Sequence, residues 1–321
     1  MAVNRSIIAA AMIGAAMHAG AQQFPSKPVR LVLPFPTGPG VVISQLLSEG
    51  WRESFRHGVI VDPRPGAGGA LALEAVARAA PDGHTLLVTS PVLTIMPIIR
   101  PALKIDPLRD FSPISLVGMI PNLMAVHPSV PAKNLREFIR EARSRPGKLT
   151  YGSSGVGSTN HLVTELLSNL AKIKMVHAPY KSNTFAALDL VRGDVDMLIS
   201  VRTSMVQFIP NQKLRVIAIL SAQRAADLPD VPTVVEQGLP DLVVVSYYGV
   251  LAPAGTLAEI IERLHHEVQR VFKPAEARKV LVKSDIDPVV GTTSEFAQAI
   301  RNDSAKWTKV VRDANLKFDE R

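Results

Sequence analysis

Apolar runs alternate with helix-period segments along almost the whole chain, and that alternation restricts the fold more than any other feature. Near the start, "VRLVLPF" (Val29 to Phe35) reads as a buried strand and "PTGPG" (Pro36 to Gly40) as a turn. Ile43, Leu46, Leu47, Trp51 and Phe55 then recur at helical spacing. The strand "GVIVD", the loop "PRPGAGG" (Pro63 to Gly69), a small-residue helix through Leu73, Val76 and Ala80, and the strand "HTLLVTS" (His84 to Ser90) repeat the unit. Such βαβ units predict an α/β protein with a mostly parallel sheet.

After a proline-rich passage, Pro97 to Pro113, a second series begins. It comprises the strand "LMAVH" (Leu123 to His127), a helix through Leu135, Phe138, Ile139 and Ala142, and the strand "KLTY" (Lys148 to Tyr151). A helix burying Leu162, Leu166, Leu167 and Leu170 follows, then "MVHAPY", a helix through Phe185, Leu188 and Val191, and the strands "VDMLIS" and "LRVIAIL". The C-terminal part opens with the apolar "LVVVSYYGVLAP" (Leu242 to Pro253). Two helices come next, each expected to start with a T-x-x-E capping box: Thr256 with Glu259, and Thr292 with Glu295.

A chain of 321 residues exceeds one ordinary domain, so two lobes or one large α/β domain are expected. Residues 1–21 read as a signal peptide: Arg5 is the lone charge, Ser6 to Met17 is small and apolar, and Ala19-Gly20-Ala21 has the A-x-A form cleaved before Gln22. That apolar run is well short of the roughly 20 residues needed to span a bilayer. A soluble, exported mature protein is expected. The absence of cysteine rules out disulfides, thiol nucleophiles, cysteine-held metals and a lipid-modified cysteine at the cleavage site. The formal charge of +8 falls by one when Arg5 leaves with the leader, and it favours anionic ligands. The basic residues are scattered with almost no aromatics between them, which argues against nucleic acid. A solvated basic surface without an assigned partner is the plainer alternative.

Three glycine- or hydroxyl-rich loops fall at the carboxyl ends of strands just ahead of helices, the edge where open α/β sheets bind ligands. First-turn N–H groups lack intrahelical partners and lie at the positive end of the helix dipole, so they suit a carboxylate. In "YGSSGVGSTNH" (Tyr151 to His161), Gly152, Ser153, Ser154, Gly155, Gly157, Ser158 and Thr159 have that inventory. An N-cap with a flexible turn would use the same residues, so the loop alone leaves both readings open.

Enzyme signatures are weak. Gly66-Ala67-Gly68 and Gly155-Val156-Gly157 lack the third glycine of a dinucleotide fingerprint, and Gly152-Ser153-Ser154-Gly155 is one residue short of a nucleophile elbow. No histidine sits in a tight metal pattern. His265-His266 reads as solvated, Asp194 and Asp196 as turn acids, and only His161, beside the loop, is a functional candidate. Aromatics at 5% make a ring-lined sugar cleft less suitable than a cradle for small carboxylates.

Several stretches in one order resemble the Bug family, the TctC-like substrate-binding proteins of tripartite tricarboxylate transporters. They include "FPSKPVRLVLPFPTG", "RPGAGGALALEAVARAAPDGHTLL", "DPLRDFSPISLVG", "HPSVPAKNLREFI", "PGKLTYGSSGVGSTNHL", "MVHAPYK", "LPDVPTVVEQGLP" and "YYGVLAPAGT". The resemblance spans Phe24 to about Leu316. It implies the type II periplasmic binding protein fold, two α/β lobes with a hinge and a ligand cleft between them. Residues 22–121 plus 246–321 would form lobe 1 and residues 122–245 lobe 2. It also implies periplasmic capture of a small carboxylate, a membrane permease with a large and a small subunit as partner, a monomer, and no cofactor or catalysis. Carried over by position, the cradle comprises Thr37, Gly38, Gly40, Gly66, Ala67, Gly68 and Ser90 from the first lobe. From the second it takes Ser153, Ser154, Gly157, Thr159, His161, Tyr180, Ser182 and Ser200.

This sequence departs from the family pattern in three places. Pro39 stands at a usual glycine and Val42 at a usual aspartate, Ser200 replaces a second acid, and Ser182 stands where glycine commonly follows "PYK". With two acids missing, a buried ammonium would find no counter-ion, so carboxylates without an amine are expected. Two other classes use the same residues. One is a sensor presenting the bound carboxylate to a two-component kinase; the other is a secreted hydrolase using Ser153 or Ser154 with His161, which would also need an acid to orient the histidine.

Overall fold

The computed structural model describes residues 24–225, 228–314 and 318. The expected signal peptide lies outside them.

Ten strands form one curled sheet. The first series gives β1 (Val29–Leu33), α1 (Pro39–Ser54), β2 (Val59–Pro63), α2 (Ala70–Ala77), β3 (Thr85–Thr89) and α3 (Val92–Ile99). β4 (Phe111–Val126) is followed by α4 (Leu135–Ser144), β5 (Thr150–Ser153), α5 (Thr159–Ala171), β6 (Val176–Pro179), α6 (Asn183–Arg192), β7 (Met197–Val201) and β8 (Arg215–Ile219). The chain returns through β9 (Val245–Pro253), α7 (Ala258–Phe272), α8 (Ala275–Lys283), β10 (Asp287–Gly291) and α9 (Thr293–Asp313).

The strand order is β2-β1-β3-β9-β4-β7-β5-β6, with β8 and β10 also on β4. Pairing is parallel within β2-β1-β3 and within β7-β5-β6, but every partner of β4 is antiparallel to it. The sheet is therefore mixed rather than mostly parallel, because two parallel blocks are joined through one long strand. β4 pairs with β9 from Phe111 to Pro121, then with β7 from Asn122 to Val126. Proline has no N–H to give a ladder, so it is tolerated where pairing shifts or changes hands. Pro113 adjoins a register shift and Pro121 stands at the handover. There the Asn122 amide donates to the Val244 carbonyl at 3.0 Å.

Three apolar clusters hold this frame together. One packs α1 and α7 against β1, with Trp51, Phe55 and Phe272 wholly buried; another packs α6 on β7 and β8; the largest runs through both blocks and includes Tyr151, Phe138 and Trp307. α9 ties the blocks together. Its Asp303 accepts from Thr94 of α3 at 2.5 Å, and its Lys306 ammonium donates to the Val243 carbonyl at 2.6 Å.

Several local expectations change. The proline-rich passage takes in the last turn of α3, with Pro97 inside that helix, and the first three residues of β4, so the second series starts at Phe111 rather than Leu123. Thr292 and Glu295 form the expected capping box. Thr256 does not: its hydroxyl donates to the Pro253 carbonyl at 2.8 Å and Leu257 occupies the cap of α7. His265 is half-buried rather than solvated, with Nδ1 2.9 Å from the Ile114 carbonyl oxygen.

Candidate functional site

At the carboxyl ends of β1 and β3 lies a hollow of about 30 Å³. That is room for about two water molecules, hence for one carboxylate group and little more. Thr37, Gly40, Ser90 and Tyr248 supply its polar wall, Leu33, Phe35 and Val88 much of its apolar wall, and no charged side chain lines it. Among the described residues, the hydroxyls of Thr37, Ser90 and Tyr248 have no hydrogen-bond partner. Burial pushes the Tyr248 phenol up to about 12, so it is a proton donor at neutral pH.

The neighbouring helix starts carry no side-chain cap. Gly38, at φ 93°, caps α1 without a side-chain bond, and Pro39 takes the first helical position. Proline suits that position because its missing N–H would have had no partner in the helix, though one donor for a ligand is lost. Gly69 caps α2 and Pro91 caps α3, again without a side-chain bond. Gly66, Ala67 and Gly68 are exposed on the loop before α2 and do not line the hollow. Ala67 adopts φ 48°, an uncommon left-handed value for a residue with a side chain.

The second block is built differently. Ser158 caps α5 by accepting from the His161 N–H, and Ser182 caps α6 by accepting from the Phe185 N–H. Ser153 is fully buried, its hydroxyl 2.6 Å from His177 Nε2. Ser154 donates to the Asn160 side-chain oxygen at 3.0 Å, and Asn160 in turn donates to Asn183 at 2.6 Å, tying the starts of α5 and α6 together. Tyr180 is half-buried; burial and a hydrogen bond to Asp189 push its phenol to about 12. Ser200 is buried in β7 and donates to Ser204 at 3.3 Å. The Thr159 hydroxyl has no partner among the described residues.

His161 lies beneath this loop. Its Nδ1 accepts the Gly157 N–H at 3.1 Å, which requires Nδ1 to be unprotonated. The ring stacks on His177 with centroids 4.2 Å apart, and Tyr151 stacks on the other partner at 4.9 Å. Burial lowers both histidines to about 4, His161 adding to the shift of His177. Tyr151 donates to Glu165 at 2.5 Å, and its phenol is pushed up by burial first and by that carboxylate second. Above them, Gly157 at φ 78° sits so close to α3 that a Cβ there would come within 2.6 Å of Ile99 Cδ1.

Neither serine named for a hydrolase is hydrogen-bonded to His161: Ser153 meets His177 and Ser154 meets Asn160. Among the described residues no cluster of three or more His, Asp or Glu is placed to hold a metal, and no helix is long and apolar enough to cross a membrane. Sequence reasoning did not single out Tyr248, His177, Asn160 or Asn183. Tyr248 had a signal, a phenol inside the otherwise apolar run Leu242 to Pro253.

The fold is that of the periplasmic substrate-binding proteins of the TctC and Bug type. The chain belongs to the TctC family, the tripartite tricarboxylate transporter family receptors, whose profile matches residues 43–316. It is 31% identical over 313 residues to protein BugT of Bordetella pertussis, covering 96% of this chain and 95% of that one. An R. palustris protein solved with adipate superposes with a TM-score of 0.81 at 28% identity, covering 92% of this chain and all (100%) of the other. MatC from Rhodopseudomonas palustris, solved with bound malate, gives 0.77 at 29% identity, covering 90% and 100%.

Proposed function

We propose that this protein is a periplasmic receptor that captures a small carboxylate lacking an ammonium group and delivers it to a tripartite transporter permease with a large and a small subunit. The observation that carries this reading is the hollow beside α1: three hydroxyls without partners, a helix start without a side-chain cap, and no charged wall. An anion bound there gains hydrogen bonds from donors that give up only water and no partner within the protein, and the positive end of α1 favours it. The likeness to proteins solved with adipate and malate supports the same ligand chemistry.

Residues 22–121 plus 246–321 act as one lobe and 122–245 as the other, hinged where β4 and β9 pass between the blocks. Export by a cleaved leader, residues 1–21, brings the protein to the periplasm, where it works as a monomer. An amino acid is disfavoured because Val42 and Ser200 supply no counter-ion. A thermal-shift screen of carboxylates on the mature protein tests the reading. Ligand at 100 times its Kd stabilises by about 2.7 kcal/mol, which raises Tm by a few degrees at this size. Aspartate binding more tightly than succinate, malate, citrate and simple aromatic acids would refute it.

A further inference from the structure

The hollow accepts little more than the acid group, so the rest of a ligand must lie among the surrounding loops. Four strand-to-helix connections carry one large exposed apolar side chain each, in the loop or in the first helical turn: Phe35 46% exposed before α1, Leu71 49% in α2, Val156 59% before α5 and Phe185 55% in α6. Phe35 and Phe185 are the exposed phenylalanines among the described residues. Phe35 lies beside Gly69 and Leu71 beside Gly66, the glycines of the loop before α2. Exposed apolar side chains scattered singly need no explanation, but one at each of four connections of a proposed cleft does. The charged side chains on these loops are Arg64, which is paired with Asp62, and Lys181, which is exposed.

Resting on the carboxylate reading above, we propose that the captured acid carries an apolar body, an aryl or medium-chain alkyl group. Phe35 and Leu71 on one side and Val156 and Phe185 on the other cover that body while Thr37, Ser90 and Tyr248 hold the acid group. A short polyacid would leave these four side chains wet and would rely on Lys181 for its second charge.

The test is calorimetric titration of the mature protein with benzoate, phenylacetate, hexanoate, malate and citrate. The best aryl or alkyl acid is expected to bind at least about tenfold more tightly than malate or citrate. In Phe185→Ser and Val156→Ser, whose parent side chains are more than half exposed, the ratio of aryl-acid to malate affinity should fall by roughly fivefold or more. Lys181→Gln should leave that ratio unchanged or raise it. Malate or citrate binding best, with the preference lost in Lys181→Gln, overturns the apolar body but leaves the carboxylate receptor standing. An unchanged ratio in both serine variants also overturns it and assigns the four side chains to lobe closure or partner contact. No binding by any of the five acids overturns the receptor reading itself.

Discussion

The loops of the two blocks share a composition of glycines and hydroxyls yet use it in opposite ways. In the first block, α1, α2 and α3 begin at Gly38, Gly69 and Pro91 with no side-chain cap, and Thr37, Ser90 and Tyr248 keep their hydroxyls free. In the second, Asn134, Ser158 and Ser182 cap α4, α5 and α6, and Ser153 and Ser154 are engaged by His177 and Asn160, with the Thr159 hydroxyl the exception that has no described partner. A donor with a partner already in the protein gives little net gain to a ligand, whereas one that gives up only water gains about 1.5–3 kcal/mol from a charged acceptor. The first block thus supplies chemistry, and the second supplies a wall whose shape is fixed before any ligand arrives.

That contrast fails most visibly if the free hydroxyls prove dispensable. The triple variant Thr37→Val, Ser90→Ala, Tyr248→Phe removes three donors to an anion and should weaken carboxylate binding on the order of a thousandfold, about 4 kcal/mol. The apo protein should keep its Tm, because no described partner is lost. Titration and melting of the same variant check both halves of the statement.

Acid offers the reverse test, aimed at the wall. Burial lowers His161 to about 4 from its ordinary 6.5. Between those pH values the unfolded chain takes up a proton that the folded one refuses, so stability is complete above pH 6.5 and is lost as pH falls toward 4. For His161 the loss is at most about 3 kcal/mol. Denaturant titrations from pH 7 to 4 should show a shallower fall in His161→Gln, whose side-chain oxygen can accept the Gly157 N–H at any of these pH values. Equal slopes would mean that His161 does not hold the loop.

Much of this contrast could not be read along the chain. The βα units were legible because Leu31, Val32 and Leu33, or Leu162 and Leu167, bury at strand and helix spacing regardless of distant partners. The loops were legible as places, since glycine and serine cluster where strands end. Their roles were not, because whether a hydroxyl is free depends on residues remote in sequence: Ser153 is taken by His177, 24 positions away. The same cause hid Tyr248, which β9 carries to the hollow from the far end of the chain. Thr256 shows the converse limit, a capping signature matched in residue type but diverted to a carbonyl three residues back.

Ser153→Ala probes one engaged hydroxyl directly. It strands His177 Nε2 in a half-buried site, and leaving a buried polar group without its partner costs about 1–3 kcal/mol. Stability should fall by that amount in denaturant titration, with ligand affinity changing far less than in the triple variant. A large affinity loss at unchanged stability would instead make Ser153 a ligand contact.

The finest distinction rests on Ser182, which stands where the family commonly has glycine. As the cap of α6 it accepts from the Phe185 N–H at 3.4 Å, a long bond. Ser182→Ala should cost about 1 kcal/mol, and Ser182→Gly only a few tenths, because glycine is itself a tolerable cap that leaves the N–H to water. If serine is kept here to close the helix start, Ser182→Gly frees a donor in the second block. Carboxylate affinity should then hold or rise by a fewfold even as stability dips. If Ser182 holds the ligand, the glycine variant loses affinity instead, and the division of labour between the blocks breaks down at that residue.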